Sequence, residues 1–196
     1  MSVGINAEIK NILLVGVGGQ GTILASKLLT SGLTDAGYDV KMSEIHGMSQ
    51  RGGSVSSQIR YGKEVWSPVI EKGGADILVA FEKMEALRWL EYLKPEGLVV
   101  VNNFQINPMP VVSGVAVYAP DILDEIRKAA KTLVVDATEE ANKLGNTRVM
   151  NMILLGVIVS SVGLVDVDWR KIIESAVKPA FVDLNCKALE IGKALV

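Results

Sequence analysis

Two glycine-rich segments carry the residue types in this sequence that could bind a phosphate-bearing ligand. The first, residues 16–21, reads GVGGQG and follows the apolar run of residues 11–15. With this spacing between a strand and a helix, Gly16 permits a tight turn, Gly18 lets the backbone approach a ligand, and Gly21 allows close packing. The following helix then offers unpaired N–H groups to an anion. The segment predicts an anion-binding turn lined by Gly18, Gly19, Gln20 and Gly21.

The spacing alone leaves the ligand of this turn open. A dinucleotide needs an acidic residue at the end of the second strand to hold the ribose hydroxyls, and Glu44 lies near that place. Glu44 is a weak match, because Ser43 and Glu44 run straight into a second glycine-rich loop. No Walker lysine follows the glycines, which excludes a P-loop NTPase turn. A NAD(P)- or flavin-binding site and a tight turn without any ligand both stay open.

The second segment, residues 46–53, reads HGMSQRGG and lies where the second strand should end. In an open α/β sheet this is the same edge as the first turn, so we expect the two loops to border one crevice. Arg51 supplies a fixed cation with a planar fork of donors, which suits a phosphate or a carboxylate. Ser49, Gln50 and the backbone of Gly52 and Gly53 could add hydrogen bonds. A solvated arginine and a structural His46 are the alternatives.

The composition excludes several kinds of site and partner. Cys186 is the only cysteine and His46 the only histidine among 196 residues. The chain therefore cannot form an internal disulfide, hold an iron–sulfur cluster through about four thiolates, or complete a typical zinc site. The formal net charge is −2 and the pI about 5.5, so nucleic acid is not an expected partner.

The most apolar segment, residues 149–165, predicts a buried core helix rather than a membrane span. It is interrupted by Asn151, Gly156 and two serines, and falls short of the roughly 18 uninterrupted apolar residues that a span needs. No secretory signal pattern is visible at the N-terminus. We therefore expect no membrane partner and a cytoplasmic location.

Short apolar runs predict strands, and helical periodicity predicts helices between them. Strands are expected at residues 10–15, 40–44, 76–81, 98–101, 115–119 and 132–135, with a hairpin formed by 54–60 and 64–66. Helices are expected at residues 22–36, 84–93, 121–130 and 138–144, and from 148 onward, where Asp168 and Pro179 begin two of them. This alternation predicts an α/β fold: a single three-layer Rossmann-like domain over residues 1–196, with a mostly parallel sheet, a β-hairpin and a helical C-terminal cover.

The pair of glycine loops in this order resembles the gamma-type domain of the 2-oxoacid:ferredoxin oxidoreductases, in particular the branch that acts on indolepyruvate. The likeness continues beyond GVGGQG and HGMSQRGGSV and covers nearly the whole chain. It runs through Ser67-Pro68, DILVA at residues 76–80 and GNTRVMNMILLG at residues 145–156. The first glycine motif is weak alone, whereas the combination is a strong signal.

This resemblance implies a reaction in which an arylpyruvate such as indolepyruvate is oxidatively decarboxylated. Coenzyme A takes the acyl group, and electrons pass through iron–sulfur clusters to ferredoxin. Thiamine diphosphate, Mg and 4Fe–4S clusters are expected in a larger alpha subunit, because this chain lacks the cysteines and a Gly-Asp-Gly thiamine motif. The chain is then expected to bind none of them alone, to be inactive alone, and to contact ferredoxin only through the complex.

The resemblance further implies that this chain shapes the site near the thiamine cofactor and receives coenzyme A. The residues expected to do so are Gly18, Gly19, Gln20, Gly21, Ser49, Gln50, Arg51, Gly52 and Gly53, with no catalytic residue and no metal ligand. Two alternatives stay open: a free-standing NAD(P)- or flavin-binding oxidoreductase, and a nucleotide-binding module without chemistry. Without its partner, the isolated chain could form a homo-oligomer.

Overall fold

A computed structural model describes residues 8–47 and 52–196 and contains one six-stranded sheet. The strands are β1 (Lys10–Val17), β2 (Asp39–His46), β3 (Ser54–Gly62), β4 (Ala75–Ala80), β5 (Leu93–Asn102) and β6 (Lys131–Val135). Their order across the sheet is β2-β3-β1-β4-β5-β6. The strands β1, β4, β5 and β6 pair in parallel, and β3 pairs antiparallel with both β1 and β2. The predicted mostly parallel sheet is confirmed.

Within the described residues, eight α-helices connect and cover these strands. They are α1 (Thr22–Asp35), α2 (Lys83–Arg88), α3 (Met109–Val112), α4 (Ile122–Ala129), α5 (Ala137–Lys143), α6 (Met150–Ser161), α7 (Trp169–Ala176) and α8 (Val182–Lys193). As predicted, Asp168 caps α7, where its carboxylate accepts the N–H of Lys171 at 3.1 Å. Pro179 begins a single 3₁₀ turn that leads into α8.

The sheet separates two hydrophobic cores because neighbouring residues of a strand point to opposite faces. Ile12 and Leu14 of β1 pack with α1 and the C-terminal helices, whereas Leu13 and Val15 pack with α2 and α4. The helix α6 is buried from Met150 to Val159, which confirms the predicted core helix. In the part of the chain that the structure describes, no helix is long and apolar enough to cross a membrane.

The hairpin predicted for residues 54–60 and 64–66 is wrong. Both edges of β3 are already paired, with β1 and with β2, so residues 64–66 find no free edge there and lie outside the sheet. The N–H of Val65 instead donates to the Asp39 carboxylate at 2.8 Å. The hairpin of this fold is the β2–β3 pair.

The strand predicted for residues 115–119 is also wrong. The strands β5 and β6 are direct parallel neighbours, and the segment between β5 and α4 stays outside the sheet. Val115 and Val117 are 83% and 91% exposed, whereas Tyr118 is buried. Val115 and Val117 alternate with small residues, as in a strand. Among the described strands, however, none pairs with the backbone of this segment.

We expect the stability of the chain to fall between about pH 10 and 12 because of Tyr61. Burial raises the pKa of Tyr61 to about 12, with smaller contributions from Tyr38, which contacts it edge-on, and from Asp76. A tyrosine in the unfolded chain ionises near pH 10, so stability is complete below that pH and is lost as the pH rises toward 12. The expected loss in the free energy of unfolding is about 2–3 kcal/mol.

Urea titrations across this pH range test the expectation. The variant Tyr61→Phe keeps the ring contact and should decline less steeply than the unmodified chain. Burial and the hydrogen bond to Glu82 also raise the pKa of Tyr118 above its usual range, so part of the decline stays in both proteins. Equal declines in the two proteins would contradict the assignment to Tyr61.

Candidate functional site

The first glycine segment forms the turn between β1 and α1 and leaves the start of that helix uncapped. Gly21 is the N-cap residue of α1 and has φ 81°, a conformation that glycine adopts without strain. No side chain among residues 8–47 and 52–196 caps the helix, and its first backbone bond is Ala25 N–H to the Gly21 carbonyl at 3.1 Å. Gly19, at φ 103°, is exposed at the crest of the turn. The helix end thus offers its positive dipole and backbone donors to an anion.

The amide of Gln20 lies inside the turn and joins the ends of β1 and β4. Its Oε1 accepts the Val17 N–H at 2.7 Å, and its Nε2 donates to the Phe81 carbonyl at 2.9 Å. The same carbonyl accepts a hydrogen bond from Asn102 Nδ2 at 3.2 Å. Gln20 therefore links the end of β1 to the end of β4. Its predicted contact with a ligand stays a prediction.

The second glycine segment lies directly against the first. Gly18 donates its N–H to the Gly53 carbonyl at 2.8 Å and accepts the Gly52 N–H at 3.4 Å. Gly52 has φ 79°, which fits the sharp return of the chain into β3. The expectation that the two loops meet at one edge of the sheet is confirmed for these residues. Ser49, Gln50 and Arg51 lie outside the described residues, so their predicted roles stay predictions.

A cleft of about 490 Å³ opens at this edge, on the α1 side of the sheet. Its described lining consists of Val17, Gly18, Gly19, Gly21, Thr22, Ile23, His46 and Val55. Thr22, the first residue of α1, is 3% exposed, and its Oγ1 has no hydrogen-bond partner among residues 8–47 and 52–196. A buried hydroxyl without a partner is costly unless a water or a ligand group supplies one. The sequence analysis missed Thr22, although a hydroxyl directly after the last glycine was its signal.

Asn151 of α6 reaches the turn from the C-terminal part of the chain. It is 3% exposed, and its Nδ2 donates to the Gly21 carbonyl at 3.3 Å. A Cβ on Gly21 would lie 2.6 Å from that nitrogen, so only glycine fits here. The segment GNTRVMNMILLG therefore helps to fix the glycine turn.

A second pocket, of about 380 Å³, lies beside Gly52 and Gly53 and contains two buried glutamates. Glu85 of α2 accepts the Ser54 hydroxyl and a hydrogen bond from Arg88 at 2.8 Å. Glu82 accepts the Tyr118 hydroxyl and the backbone N–H groups of Glu85 and Ile106. These carboxylates disfavour an anion, so the two pockets differ in the charge that they can accept.

The sheet order argues against a dinucleotide at the glycine turn. In a dinucleotide-binding fold the second strand lies next to the first, but here β3 lies between β1 and β2. This insertion moves the end of β2 about 10 Å away from β1. Glu44 instead accepts a hydrogen bond from Ser26 of α1 at 3.2 Å. The amide of Gln20 occupies the space between the ends of β1 and β4.

Within the described ranges, no three histidine, cysteine or acidic side chains are grouped to hold a metal.

Comparisons with known proteins agree with this geometry. The family model described as pyruvate ferredoxin/flavodoxin oxidoreductase matches residues 11–195. The chain is 38% identical to the indolepyruvate oxidoreductase subunit IorB of Thermococcus kodakarensis, over 93% of each protein. The solved pyruvate oxidoreductase subunit PORC of Thermotoga maritima has a TM-score of 0.72 at 25% identity and covers 95% of this chain and 96% of its own.

A longer solved protein contains the same fold. The 2-oxoglutarate:ferredoxin oxidoreductase of Magnetococcus marinus, solved with 2-oxoglutarate, coenzyme A and succinyl-CoA bound, has a TM-score of 0.76 at 19% identity. The match covers 96% of this chain but 31% of that polypeptide. In that protein the fold is therefore one part of a longer chain.

Proposed function

The chain belongs to the pyruvate ferredoxin/flavodoxin oxidoreductase family, and from this membership we propose that it is the small subunit of an indolepyruvate-type 2-oxoacid:ferredoxin oxidoreductase. The complex oxidatively decarboxylates an arylpyruvate to an acyl-CoA and passes the electrons to ferredoxin. The chain acts as one domain over residues 1–196. Its 38% identity to an indolepyruvate oxidoreductase subunit of equal extent supports this substrate class.

A larger subunit supplies the redox and carbanion chemistry in this proposal. Thiamine diphosphate with Mg, and 4Fe–4S clusters, supply decarboxylation and electron transfer when bound there, and the clusters reduce ferredoxin. The small chain has one cysteine, Cys186, which lies on α8 far along the chain from the glycine loops. Its own residues bind and position, and the chain alone has no activity.

The cleft at the start of α1 receives a phosphate-bearing part of coenzyme A. Two observations carry this assignment: no described side chain caps the start of α1, and the buried Thr22 hydroxyl beside it has no partner among the described residues. Phosphate oxygens would accept both the backbone donors and this hydroxyl. Gly18 and Gly19 allow the close approach, and Gly52 and Gly53 hold the turn from the other side. Ser49, Gln50 and the Arg51 guanidinium complete the contact from the adjoining loop.

The variant Thr22→Val separates a binding role from a structural one. Valine has nearly the shape of threonine and removes a buried hydroxyl that has no partner, so the free energy of unfolding should stay equal or rise by about 1 kcal/mol. In the assembled enzyme, however, the KM for coenzyme A should rise about five- to tenfold, because a phosphate contact is lost.

The matched control is Thr34→Val on the same helix, where the hydroxyl is exposed and donates to the Thr30 carbonyl. It should leave the KM for coenzyme A unchanged. Arg51→Ala should raise this KM at least as much as Thr22→Val. An unchanged KM in both Thr22→Val and Arg51→Ala would remove coenzyme A from this cleft.

Anaerobic isolation of the tagged chain from its native host tests the complex as a whole. The expected partner is a larger subunit with thiamine diphosphate and iron–sulfur clusters, and the isolate should reduce an electron acceptor when given arylpyruvate and coenzyme A. A chain that is recovered alone with a bound nicotinamide or flavin nucleotide would overturn the proposal.

A further inference from the structure

The segment between β5 and α4 carries an unusual amount of exposed apolar surface. Residues 103–120, here called the uncharged arm, contain no Asp, Glu, Lys or Arg. Four large side chains in it are largely exposed to solvent: Met109 at 74%, Val112 at 65%, Val115 at 83% and Val117 at 91%. Depletion of charge together with exposed apolar side chains is typical of the centre of a protein–protein interface.

The uncharged arm is fixed to the domain by a buried polar network. Glu82, 1% exposed, accepts the Tyr118 hydroxyl and, at 3.2 Å, the Ile106 N–H. The Tyr118 oxygen in turn accepts the Met84 N–H at 3.1 Å, and the Lys83 N–H donates to the Phe104 carbonyl at 3.0 Å. Both ends of the arm are thus tied to the start of α2. Because the arm is anchored at these points, it presents its apolar side chains outward.

The pocket with the two glutamates lies at the base of the uncharged arm. The pocket lining includes Ile106, Asn107, Pro108 and Met109 of the arm, together with Glu82, Glu85 and Arg88. Glu82 and Glu85 are almost fully buried, whereas the side chain of Arg88 is 53% exposed. The pocket lining holds two carboxyl groups against one cation, the half-exposed Arg88, while the Lys83 ammonium lies outside this lining, 5.8 Å from the centre of the Tyr118 ring. An entering cation would be attracted, and an entering anion repelled.

We infer that the uncharged arm is the surface on which the larger subunit docks, and that the pocket at its base receives a basic side chain of that subunit. This inference rests on the proposed function. In the Magnetococcus marinus protein, a polypeptide about three times as long contains this fold, so other parts of that chain are available to cover such a surface.

A second copy of this chain is the less suitable occupant. In a two-fold contact through the uncharged arm the same patch faces itself, which brings two carboxyl-lined pockets toward one another. The arm itself has no basic residue to place in either pocket. A different polypeptide can supply both an apolar surface to cover the arm and a lysine or arginine to enter the pocket.

The test measures the affinity of the purified chain for its larger subunit. We expect Val117→Asp, and more strongly the pair Val115→Asp and Val117→Asp, to weaken binding at least about tenfold, because a charge is placed in an apolar interface. Val165→Asp is the matched control: this valine is 52% exposed in the turn after α6, and its variant should bind within about twofold of the unmodified chain.

Asn107 tests the charge of the pocket. Asn107→Lys places a competing cation in the pocket wall and should weaken binding about fivefold or more, whereas Asn107→Asp should bind as well as the unmodified chain or better. Circular dichroism and thermal unfolding check that each variant is folded. Unmodified chain that fails to bind any larger subunit would overturn the proposed function. Normal binding by both valine variants, or equal binding by the two Asn107 variants, would overturn this inference while leaving the proposed function intact.

Discussion

Replacing Gly192 with alanine is expected to lower the free energy of unfolding by about 3 kcal/mol or more. Gly192 of α8 and Gly156 of α6 lie face to face where the two helices cross. A Cβ on Gly192 would overlap the carbonyl oxygen of Ile153 and lie 3.0 Å from the Cα of Gly156. These are backbone atoms of a buried helix and cannot move aside as a flexible side chain does. Alanine would therefore push the two helices apart and open the core between α6 and α8.

Chemical denaturation of the purified chain measures this effect. Gly156→Ala should cost a similar amount, because its Cβ would overlap the carbonyl oxygen of Leu189. The double variant should cost less than the sum of the two, since helices that have already separated accept the second methyl group more easily. Gly47→Ala is the control: Gly47 is exposed and a Cβ there meets nothing within 4 Å. If Gly192→Ala is as stable as this control, the close helix crossing is not present in solution.

Replacing Gln20 with glutamate is expected to destabilise the glycine turn strongly. Glutamate keeps an acceptor for the Val17 N–H but loses the donor to the Phe81 carbonyl, and it places a carboxylate oxygen against that carbonyl. We expect the free energy of unfolding to fall by about 2–3 kcal/mol at neutral pH, because one oxygen of the charged group is left without a hydrogen-bond donor. The new negative charge near the start of α1 should also weaken the proposed binding of coenzyme A.

The pH dependence of Gln20→Glu distinguishes this cause from a loss of packing. A protonated glutamic acid can donate to the Phe81 carbonyl, so the pKa of the new carboxyl group in the folded state should lie above its usual value near 4.3. The loss in the free energy of unfolding, relative to the unmodified chain, should then be small below pH 4.3. It should grow as the pH rises from 4.3 to the pKa of this group in the folded state. Gln105→Glu, at an exposed glutamine, should change stability by less than about 0.5 kcal/mol. A deficit that does not vary with pH would argue against the Phe81 contact.

The local parts of the fold were predictable from the sequence because neighbours in the chain determine them. The run of residues 11–15 followed by glycines specifies β1 and its turn, since buried strands are short and apolar and turns need glycine at positive φ. The apolar segment around residues 149–165 specifies a buried helix, although Asn151 and the two serines in it find polar partners only in the folded chain. The meeting of the two glycine loops followed from the rule that strand ends share one edge of the sheet.

The long-range partners could not be predicted, because they depend on how the whole chain folds. Nothing local to β3 indicates that it inserts between β1 and β2, because strand order depends on which edges are free when the sheet assembles. The amide of Gln20 could equally face a ligand or the strand ends, and the Phe81 carbonyl that it meets is 61 residues away. The Val115–Val117 alternation fits a strand or an exposed surface equally well. Most of the elements, the glycine turn and the family likeness could be predicted from the sequence. The fold determines which buried polar groups find partners among the described residues and which, like the Thr22 hydroxyl, do not.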